Sequence, residues 1–169
     1  NRALVYQARR TGGRLPYPSA AIMDSQSVKT TGVGGLRGYD AGKKVKGRKR
    51  HILVDTVGHL LKVVVHSADL QDRDGAMLLL LALTPMLRLR IRKIWADGGY
   101  RGKLIDWCWR SIKAVLTVVS PPSAQKGFAV LPRRWVVERT FAWLGNYRRL
   151  SKDFEQCTKS SEGMIYLAS

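Results

Sequence analysis

The pattern of apolar and polar positions predicts strands and helices along most of the chain. Short apolar or alternating segments rich in Val, Ile and Leu have the length of strands. Longer segments, two of which open on Asp or Pro, have the length of helices. The predicted strands cover residues 20–28, 51–57, 60–66, 91–96 and 114–119, and the predicted helices cover residues 72–87, 101–110 and 132–150.

The order of these segments predicts a mixed α/β fold. Only Gly58-His59 separates the second strand from the third, which suits a tight hairpin and therefore antiparallel pairing. Strands and helices then alternate, as they do where parallel strands are covered by helices. Pro85 is expected to end or bend the first helix, and Pro132 to open the last one.

Two segments show no regular pattern. Residues 1–18 are basic and polar, with Gly12-Gly13 and two prolines, and are predicted to form an arm or linker. Residues 32–50 are interrupted by glycines and are predicted to form a flexible loop. Such a loop could grip DNA phosphates, because its second half concentrates cations. These candidate DNA contacts are Lys43, Lys44, Lys46, Arg48, Lys49 and Arg50.

The composition indicates a polyanionic partner. The chain has 30 Lys and Arg against 12 Asp and Glu, a net charge of +18. This excess is unusual for an enzyme of small neutral substrates and typical of nucleic-acid binding. An anionic membrane surface fits less well, because the cations are not gathered on an amphipathic helix. The longest apolar run is too short to span a bilayer, and the two cysteines form no C-x-x-C pair of a zinc site.

Three acids are placed where chemistry is expected. Asp24 falls in the first strand, Asp97 ends the fourth strand before two glycines, and Glu138 lies in an apolar part of the last helix. Acids at strand ends face the crevice of an open sheet, and a buried acid needs an ionic partner. Each acid also has a structural alternative, which for Glu138 is an ion pair with Arg134 one turn earlier. Together the three could hold two Mg²⁺ or Mn²⁺ ions roughly 3.5–4 Å apart for in-line phosphoryl displacement.

Four segments that contain these acids resemble one family. In this order they resemble the DDE transposases of bacterial insertion sequences, in the insertion-sequence-five-like group. The match extends over nearly the whole chain. The segments are residues 20–30 (AAIMDSQSVKT), 38–51 (GYDAGKKVKGRKRH), 96–100 (ADGGY) and 134–144 (RWVVERTFAWL).

The resemblance implies both a fold and an activity. It implies an α/β catalytic domain over residues 19–169, with a ribonuclease-H-like mixed five-stranded sheet flanked by helices. Asp24, Asp97 and Glu138 are then the catalytic metal ligands, which serve strand cleavage at transposon ends and attack of the freed 3′-hydroxyl on target DNA. It further implies a homodimer or larger assembly on DNA, with no membrane partner, in the bacterial cytoplasm at the nucleoid. A separate N-terminal DNA-binding segment belongs to this family, and we expect this chain to lack it.

The sequence departs from the pattern of this group at two positions. The group carries Tyr, Arg, Glu and Lys at fixed spacing around the catalytic Glu. Arg134 fits the Arg, whereas Leu131 and Gly145 stand at the Tyr and Lys positions. These departures bear on the DNA-backbone contacts more than on the metal site. Further candidate DNA contacts near the last helix, three of which could replace the missing lysine, are Arg134, Arg139, Arg148 and Arg149.

Two other functions are compatible with the sequence. A structure-specific nuclease on the same fold would produce nicks without joined products. A non-catalytic module that coats DNA or RNA would use its acids structurally, and their neutralisation would then raise affinity without loss of an activity. All three functions predict binding that weakens with salt, so salt dependence does not distinguish them.

Overall fold

A computed structural model describes residues 1–120 and 133–169 of the chain. Among these residues six strands form one sheet: β1 Ala20–Lys29, β2 Gly38–Asp40, β3 Val45–Asp55, β4 Leu60–Ser67, β5 Lys93–Ala96 and β6 Val115–Val118. The α-helices of the described residues are α1 Arg2–Thr11, α2 Asp72–Leu81, α3 Pro85–Arg90, α4 Lys103–Ile112, α5 Arg134–Gly145 and α6 Thr158–Leu167. None of them is long and apolar enough to cross a membrane.

The longest strand, β3, organises the sheet. Along one edge it pairs antiparallel with β1, from Asp55 opposite Ala21 to Gly47 opposite Lys29. Along its other edge it pairs with β4 and then with the short β2. On the far side of β1 the strands β5 and β6 follow in parallel. The sheet is therefore mixed and five strand positions wide, so the predicted α/β fold class is confirmed.

Each face of the sheet has its own core. Successive side chains of a strand point to opposite faces. From β1, Ala21 and Met23 pack against α2, α3 and α4. Ile22 points to the other face, where it joins side chains of α5 and α6 such as Val137 and Ile165. The helices thus enclose the sheet from both sides, and α5 covers the face on which Ile22 lies.

The predicted helices at 72–87 and 132–150 are each shorter than expected. The first is two helices, because Pro85 occupies the first position of α3. Thr84 caps that helix, its hydroxyl accepting a hydrogen bond from the backbone N–H of Leu87. The last predicted helix is α5, which ends at Gly145. Pro132, predicted to open it, lies outside the described residues.

Asp55 closes the hairpin between β3 and β4. Its Oδ1 accepts hydrogen bonds from the backbone N–H groups of Val57, Gly58 and His59 at 2.9, 2.9 and 3.0 Å. Gly58 has a φ of 104°, which glycine adopts without strain. The predicted antiparallel hairpin is confirmed, but its turn comprises residues 56–59 and not only Gly58-His59.

The N-terminal segment contains a docked helix rather than only an extended arm. Helix α1 buries Val5 and Arg9. Arg9 forms an ion pair with Asp55 and donates from Nε to the carbonyl of Leu15 at 2.8 Å. The sequence did not indicate a docked helix, because one of the two residues that α1 buries is the charged Arg9. A helix that packs through a charged residue shows little of the apolar stripe by which helices are recognised.

A clasp of buried arginines ties β3 to the segment after α5. Arg48 lies 3.1 Å from Oδ1 of Asp153 and donates to the carbonyl of Glu155 at 2.6 Å. Arg50 donates to the carbonyl of Leu150 at 2.8 Å. We refer to these contacts as the Arg48 clasp. They hold the chain that follows α5 against the sheet.

The basic run, residues 43–50, is therefore not a flexible loop throughout. Residues 45–50 belong to β3, and Arg48, Lys49 and Arg50 are only 0%, 4% and 2% exposed. Their charge predicts exposure, yet each finds acceptors inside the protein. Asp153 is also buried, because it faces Arg48.

Two histidines form a buried pair between the sheet and α2. Nδ1 of His51 lies 2.8 Å from Nε2 of His66, and the rings stack. Gly75 of α2 lies against both rings, where a Cβ atom would be 2.4 Å from His51 Cε1. Burial, followed by the mutual repulsion of two protonated rings, lowers the pKa of His51 to about 3, and burial lowers the pKa of His66. The folded protein therefore keeps the pair neutral.

We expect this pair to make stability depend on pH. Because the folded-state pKa values are depressed, the neutral pair stabilises the protein fully above the ordinary value of about 6.5. As pH falls below 6.5 the unfolded chain binds protons that the folded protein does not. The free energy of unfolding therefore falls by up to about 1.4 kcal/mol per pH unit for each histidine. Urea unfolding between pH 7 and 5 should show His51→Asn losing stability less steeply than the parent. Asp24, whose raised pKa acts in the opposite direction, contributes equally to both proteins. If the free energy of unfolding had the same slope against pH in both proteins, the neutral buried histidine pair would be contradicted.

Candidate active site

Strand pairing brings Asp24 and Asp97 side by side. β1 and β5 are parallel, with Ile22 opposite Trp95, and each acid follows two residues later in extended backbone. Side chains two residues apart in extended backbone point to the same face. Ile22 and Trp95 both belong to the core beneath α5. The two carboxylates therefore lie next to each other on the face that α5 covers.

Helix α5 brings the third acid to the same place. Its inner face buries Val137 and Phe141 against the sheet. Glu138 lies at the edge of this face with its side chain 43% exposed, so it points to the crevice and not into the core. Arg134 is one turn earlier and lies on the same side of the helix.

All three carboxylates approach one nitrogen atom. Nη2 of Arg134 lies 3.7 Å from Oδ2 of Asp24, 3.9 Å from Oδ2 of Asp97 and 3.1 Å from Oε1 of Glu138. The ion pair of Glu138 with Arg134, which the sequence left as an alternative to the metal site, is thus observed together with the convergence of the acids. We call these four side chains the acidic centre.

Backbone hydrogen bonds fix the two aspartates. Oδ1 of Asp24 accepts from the N–H of Ser25 at 2.7 Å, and Oδ1 of Asp97 accepts from the N–H of Gly99 at 2.8 Å. Each aspartate therefore turns its other oxygen, Oδ2, toward Arg134. Burial raises the pKa of Asp24 to about 6, and the charge of Asp97 adds to this rise. The Ser25 N–H and the positive charge of Arg134 oppose it.

The acidic centre suits a divalent cation in charge and donor type. Mg²⁺ and Mn²⁺ prefer carboxylate oxygens, and three are gathered here. Within residues 1–120 and 133–169, however, no three acids, histidines or cysteines stand close enough together to hold an ion as they are. The guanidinium of Arg134 takes the place between them. Ion binding at this centre requires Arg134 to withdraw and the carboxylates to move inward.

A polar network behind the acidic centre was not evident from the sequence. Oγ of Ser25 donates to Asp72 at 2.9 Å, and Nζ of Lys49 lies 2.9 Å from the same carboxylate. Lys49 also lies 3.4 Å from Asp40, which accepts from Ser27 at 2.6 Å. Lys49 therefore bridges α2 to the end of β2, and this is why a lysine of the basic run is buried.

The candidate DNA contacts divide into exposed and engaged cations. Lys43, Lys44, Lys46, Arg148 and Arg149 are exposed, although Arg149 pairs with Glu155 at 2.7 Å. Arg48, Lys49 and Arg50 use their charge inside the protein and are not positioned for DNA.

Arg139 is also engaged. Its guanidinium lies between the rings of Trp135 and Trp143, 4.7 and 4.4 Å from their centroids, and donates to the carbonyl of Val57 at 2.6 Å. The two tryptophans are 42% and 53% exposed. They shield Arg139, which therefore does not face the acidic centre as a replacement for the missing lysine. Leu131, at the Tyr position, lies outside the described residues.

A basic cleft beyond the acidic centre was also missed. It follows the end of β1 and has a volume of about 400 Å³. Besides Lys44 and Lys46, it is lined by Lys29, Arg37 and the half-exposed Tyr39. Lys29 and Arg37 were not evident from the sequence because each is an isolated cation outside the dense basic run.

Comparison with known proteins identifies the family. A family model described as "Transposase DDE domain" matches residues 16–168. The chain belongs to this family. The matched region of the DDE domain contains the elements that carry all three acids, namely β1, the end of β5 and α5. The resemblance to DDE transposases stated from the sequence segments is confirmed.

Two relatives give further context for this DDE domain. It is 32% identical over 116 residues to the "Putative transposase for insertion sequence element IS402" of Burkholderia cepacia, a match that covers 65% of this chain and 54% of that protein. The match thus spans about half the length of this relative. The catalytic core domain of BIV integrase superposes with a TM-score of 0.50 at 15% identity, over 89% of this chain and 80% of that one. The DDE domain therefore has the ribonuclease-H-like fold of an integrase core.

Proposed function

We propose that this DDE domain cuts DNA at the ends of a transposable element and joins the freed 3′-hydroxyl groups to target DNA, with Mg²⁺ or Mn²⁺ held by Asp24, Asp97 and Glu138. The convergence of three carboxylates from separate elements on one nitrogen of Arg134 carries the proposal. Like charges repel, so the three carboxylates require positive charge between them, which Arg134 supplies here and divalent ions would supply in the reaction. Membership of the transposase DDE family supports DNA as the substrate.

Each residue of the acidic centre has a defined task in this proposal. Two divalent ions, when bound, would activate the attacking oxygen, which is water in cleavage and the 3′-hydroxyl in joining, and would stabilise the leaving 3′-oxygen. Asp24 and Asp97 orient their Oδ2 atoms toward the centre because Oδ1 is fixed by a backbone N–H. Glu138 closes the third side from a helix whose inner face is packed on the sheet.

The exposed cations provide a track for the DNA backbone. Lys43 and Lys44 lie on the turn between β2 and β3, and the basic cleft with Lys29 and Arg37 continues from there along β1. Phosphate contacts of this kind bind without regard to base sequence and weaken as salt increases. These exposed cations therefore support binding of the DNA backbone next to the acidic centre.

The proposal is tested by following both cleavage and joining. Duplex oligonucleotides taken from the DNA that flanks the coding sequence, and a supercoiled target plasmid, are incubated with the protein and Mg²⁺ or Mn²⁺. We expect metal-dependent cuts that expose 3′-hydroxyls, and covalent joining of a labelled end to the plasmid. Cuts without joined product would favour the structure-specific nuclease. Binding without either product would favour the non-catalytic module.

Arg134 should compete with the divalent ions. Replacing it by Gln removes the positive charge that lies between the carboxylates and has to be displaced. We therefore expect Arg134→Gln to bind Mn²⁺ about tenfold more tightly in the absence of DNA, in line with a charge interaction of about 1.4 kcal/mol. Calorimetric titration measures the affinity, and Arg110→Gln, an exposed site on α4, is the control. Equal or weaker Mn²⁺ binding by Arg134→Gln would show that Arg134 does not compete with the metal ion.

A further inference from the structure

One exposed lysine of the basic run is held beside the acidic centre. Lys43 lies in the turn between β2 and β3, and its backbone N–H donates to Oδ1 of Asp40 at 3.0 Å. Asp40 is buried and anchored in turn by Ser27, at 2.6 Å. The turn that carries Lys43 is thus fastened to β1.

The ammonium group of Lys43 reaches back toward β1. Its Nζ lies 3.3 Å from the carbonyl oxygen and 3.4 Å from the hydroxyl of Ser25, the residue after Asp24. Both contacts are long for hydrogen bonds to a charged donor, which are usually about 2.7–2.9 Å. An ammonium group has three N–H donors, so Lys43 retains donor capacity for an additional partner.

Lys43 and Glu138 line the same cleft, which has a volume of about 540 Å³. One wall consists of Lys43 with residues 25–27 of β1, and the other wall is the face of α5 that carries Glu138 and Gly145. Among the described residues that line this cleft, Lys43 is the only cation. A DNA phosphate that approaches the three acids meets their negative charge, and Lys43 is positioned to offset it.

The opposite wall is open at Gly145. Nothing lies within 4 Å of a Cβ atom built on this glycine. Gly145 follows Glu138 by seven residues, so both lie on one side of α5. A long side chain at position 145 would therefore enter the same cleft from the helix.

We propose that Lys43 binds the phosphate next to the bond being cut, and that the β2–β3 turn supplies to this cleft the cation that α5 lacks at Gly145. The proposal rests on the proposed DNA cleavage. It makes Lys43 a phosphate-binding residue of the reaction, distinct from Lys44 and Lys46, which point to the basic cleft further along β1.

Four proteins test this proposal: the parent, Lys43→Ala, Lys43→Ala combined with Gly145→Lys, and the control Lys159→Ala, which changes an exposed lysine of α6. We expect Lys43→Ala to slow oligonucleotide cleavage about 100-fold, with kcat affected more than KM. It should also lower the slope of log Kd against log salt by about 0.9 for duplex DNA. Mn²⁺ affinity should not fall, because Lys43 is not a metal ligand. The lysine introduced at position 145 should recover at least a tenth of the parent rate and the lost salt slope.

Several results would overturn the proposal. If Lys43→Ala cleaves like the parent while Asp97→Asn does not cleave, Lys43 is not needed and the proposed cleavage stands. If Lys43→Ala is slow but Gly145→Lys restores neither rate nor slope, Lys43 only braces the turn. If the parent itself does not cleave, the salt slope still decides, because an unchanged slope in Lys43→Ala means that no phosphate is bound there.

Discussion

Replacing Asp97 by Asn is expected to abolish metal-dependent DNA cleavage, with a fall on the order of 1,000-fold, while DNA binding persists. The substitution is nearly isosteric. The amide oxygen of Asn can still accept the hydrogen bond from the N–H of Gly99, which Asp97 accepts at 2.8 Å, so the turn after β5 should be preserved. The change replaces the negatively charged Oδ2, which faces Arg134, by an amide NH2 group that is not a metal ligand.

The control for this prediction is Asp106→Asn. Asp106 is an exposed acid of α4, and its neutralisation changes the net charge of the protein by the same amount. We expect Asp106→Asn to cleave like the parent. Both variants should bind duplex DNA slightly more tightly than the parent, as the loss of one negative charge requires. If Asp97→Asn cleaved as fast as Asp106→Asn, the assignment of Asp97 to the metal site would be wrong.

Replacing Arg48 by Met should lower the free energy of unfolding by about 3–5 kcal/mol. Arg48 is fully buried, and its guanidinium faces Asp153 and the carbonyls of Glu155 and Gln156 at 2.6–3.1 Å. Met fills a similar volume but leaves Asp153 buried without its cationic partner. Breaking a buried ion pair from one side is costly because the remaining charge is uncompensated.

Thermal unfolding measures this effect, and the midpoint should fall by roughly 10 °C. The matched control is Lys46→Met, two residues earlier on β3 and exposed, for which we expect a change below about 0.5 kcal/mol. Equal melting of the two variants would mean that the Arg48 clasp does not stabilise the fold.

The location of the acidic centre could be predicted from the sequence because it follows from strand periodicity. Asp24 directly follows the apolar residues 20–23 and Asp97 directly follows the apolar residues 94–96, and such short apolar segments are recognised as strands. What the sequence did not reveal is that Arg134 contacts both of them as well as Glu138. That contact depends on how α5 packs across the sheet, and local pattern does not encode the distance between elements that are far apart along the chain.

The basic run shows where reasoning from charge fails. Arg48, Arg50 and Ile52 point to the α5 face of the sheet, and Lys49 and His51 point to the other face, so the alternation of β3 extends into the charged residues. A strand recognised by its apolar residues begins at His51 in the sequence. The alternation of side chains between the two faces nevertheless extends back to Arg48. These cations are buried because tertiary partners satisfy them. The partners of Arg48 and Arg50 on the segment after α5 lie about 100 residues later in the sequence, whereas Lys49 pairs with the nearer Asp40 and Asp72.

We propose that Asp24, Asp97 and Glu138 hold divalent metal ions. Anomalous diffraction from crystals of the protein grown with Mn²⁺ tests it most directly. We predict Mn²⁺ peaks within about 2.0–2.2 Å of carboxylate oxygens of these acids, with the Arg134 guanidinium displaced from its place among them. If no peak occupies the acidic centre at Mn²⁺ concentrations that support cleavage, and Arg134 still contacts all three carboxylates, the claim is contradicted.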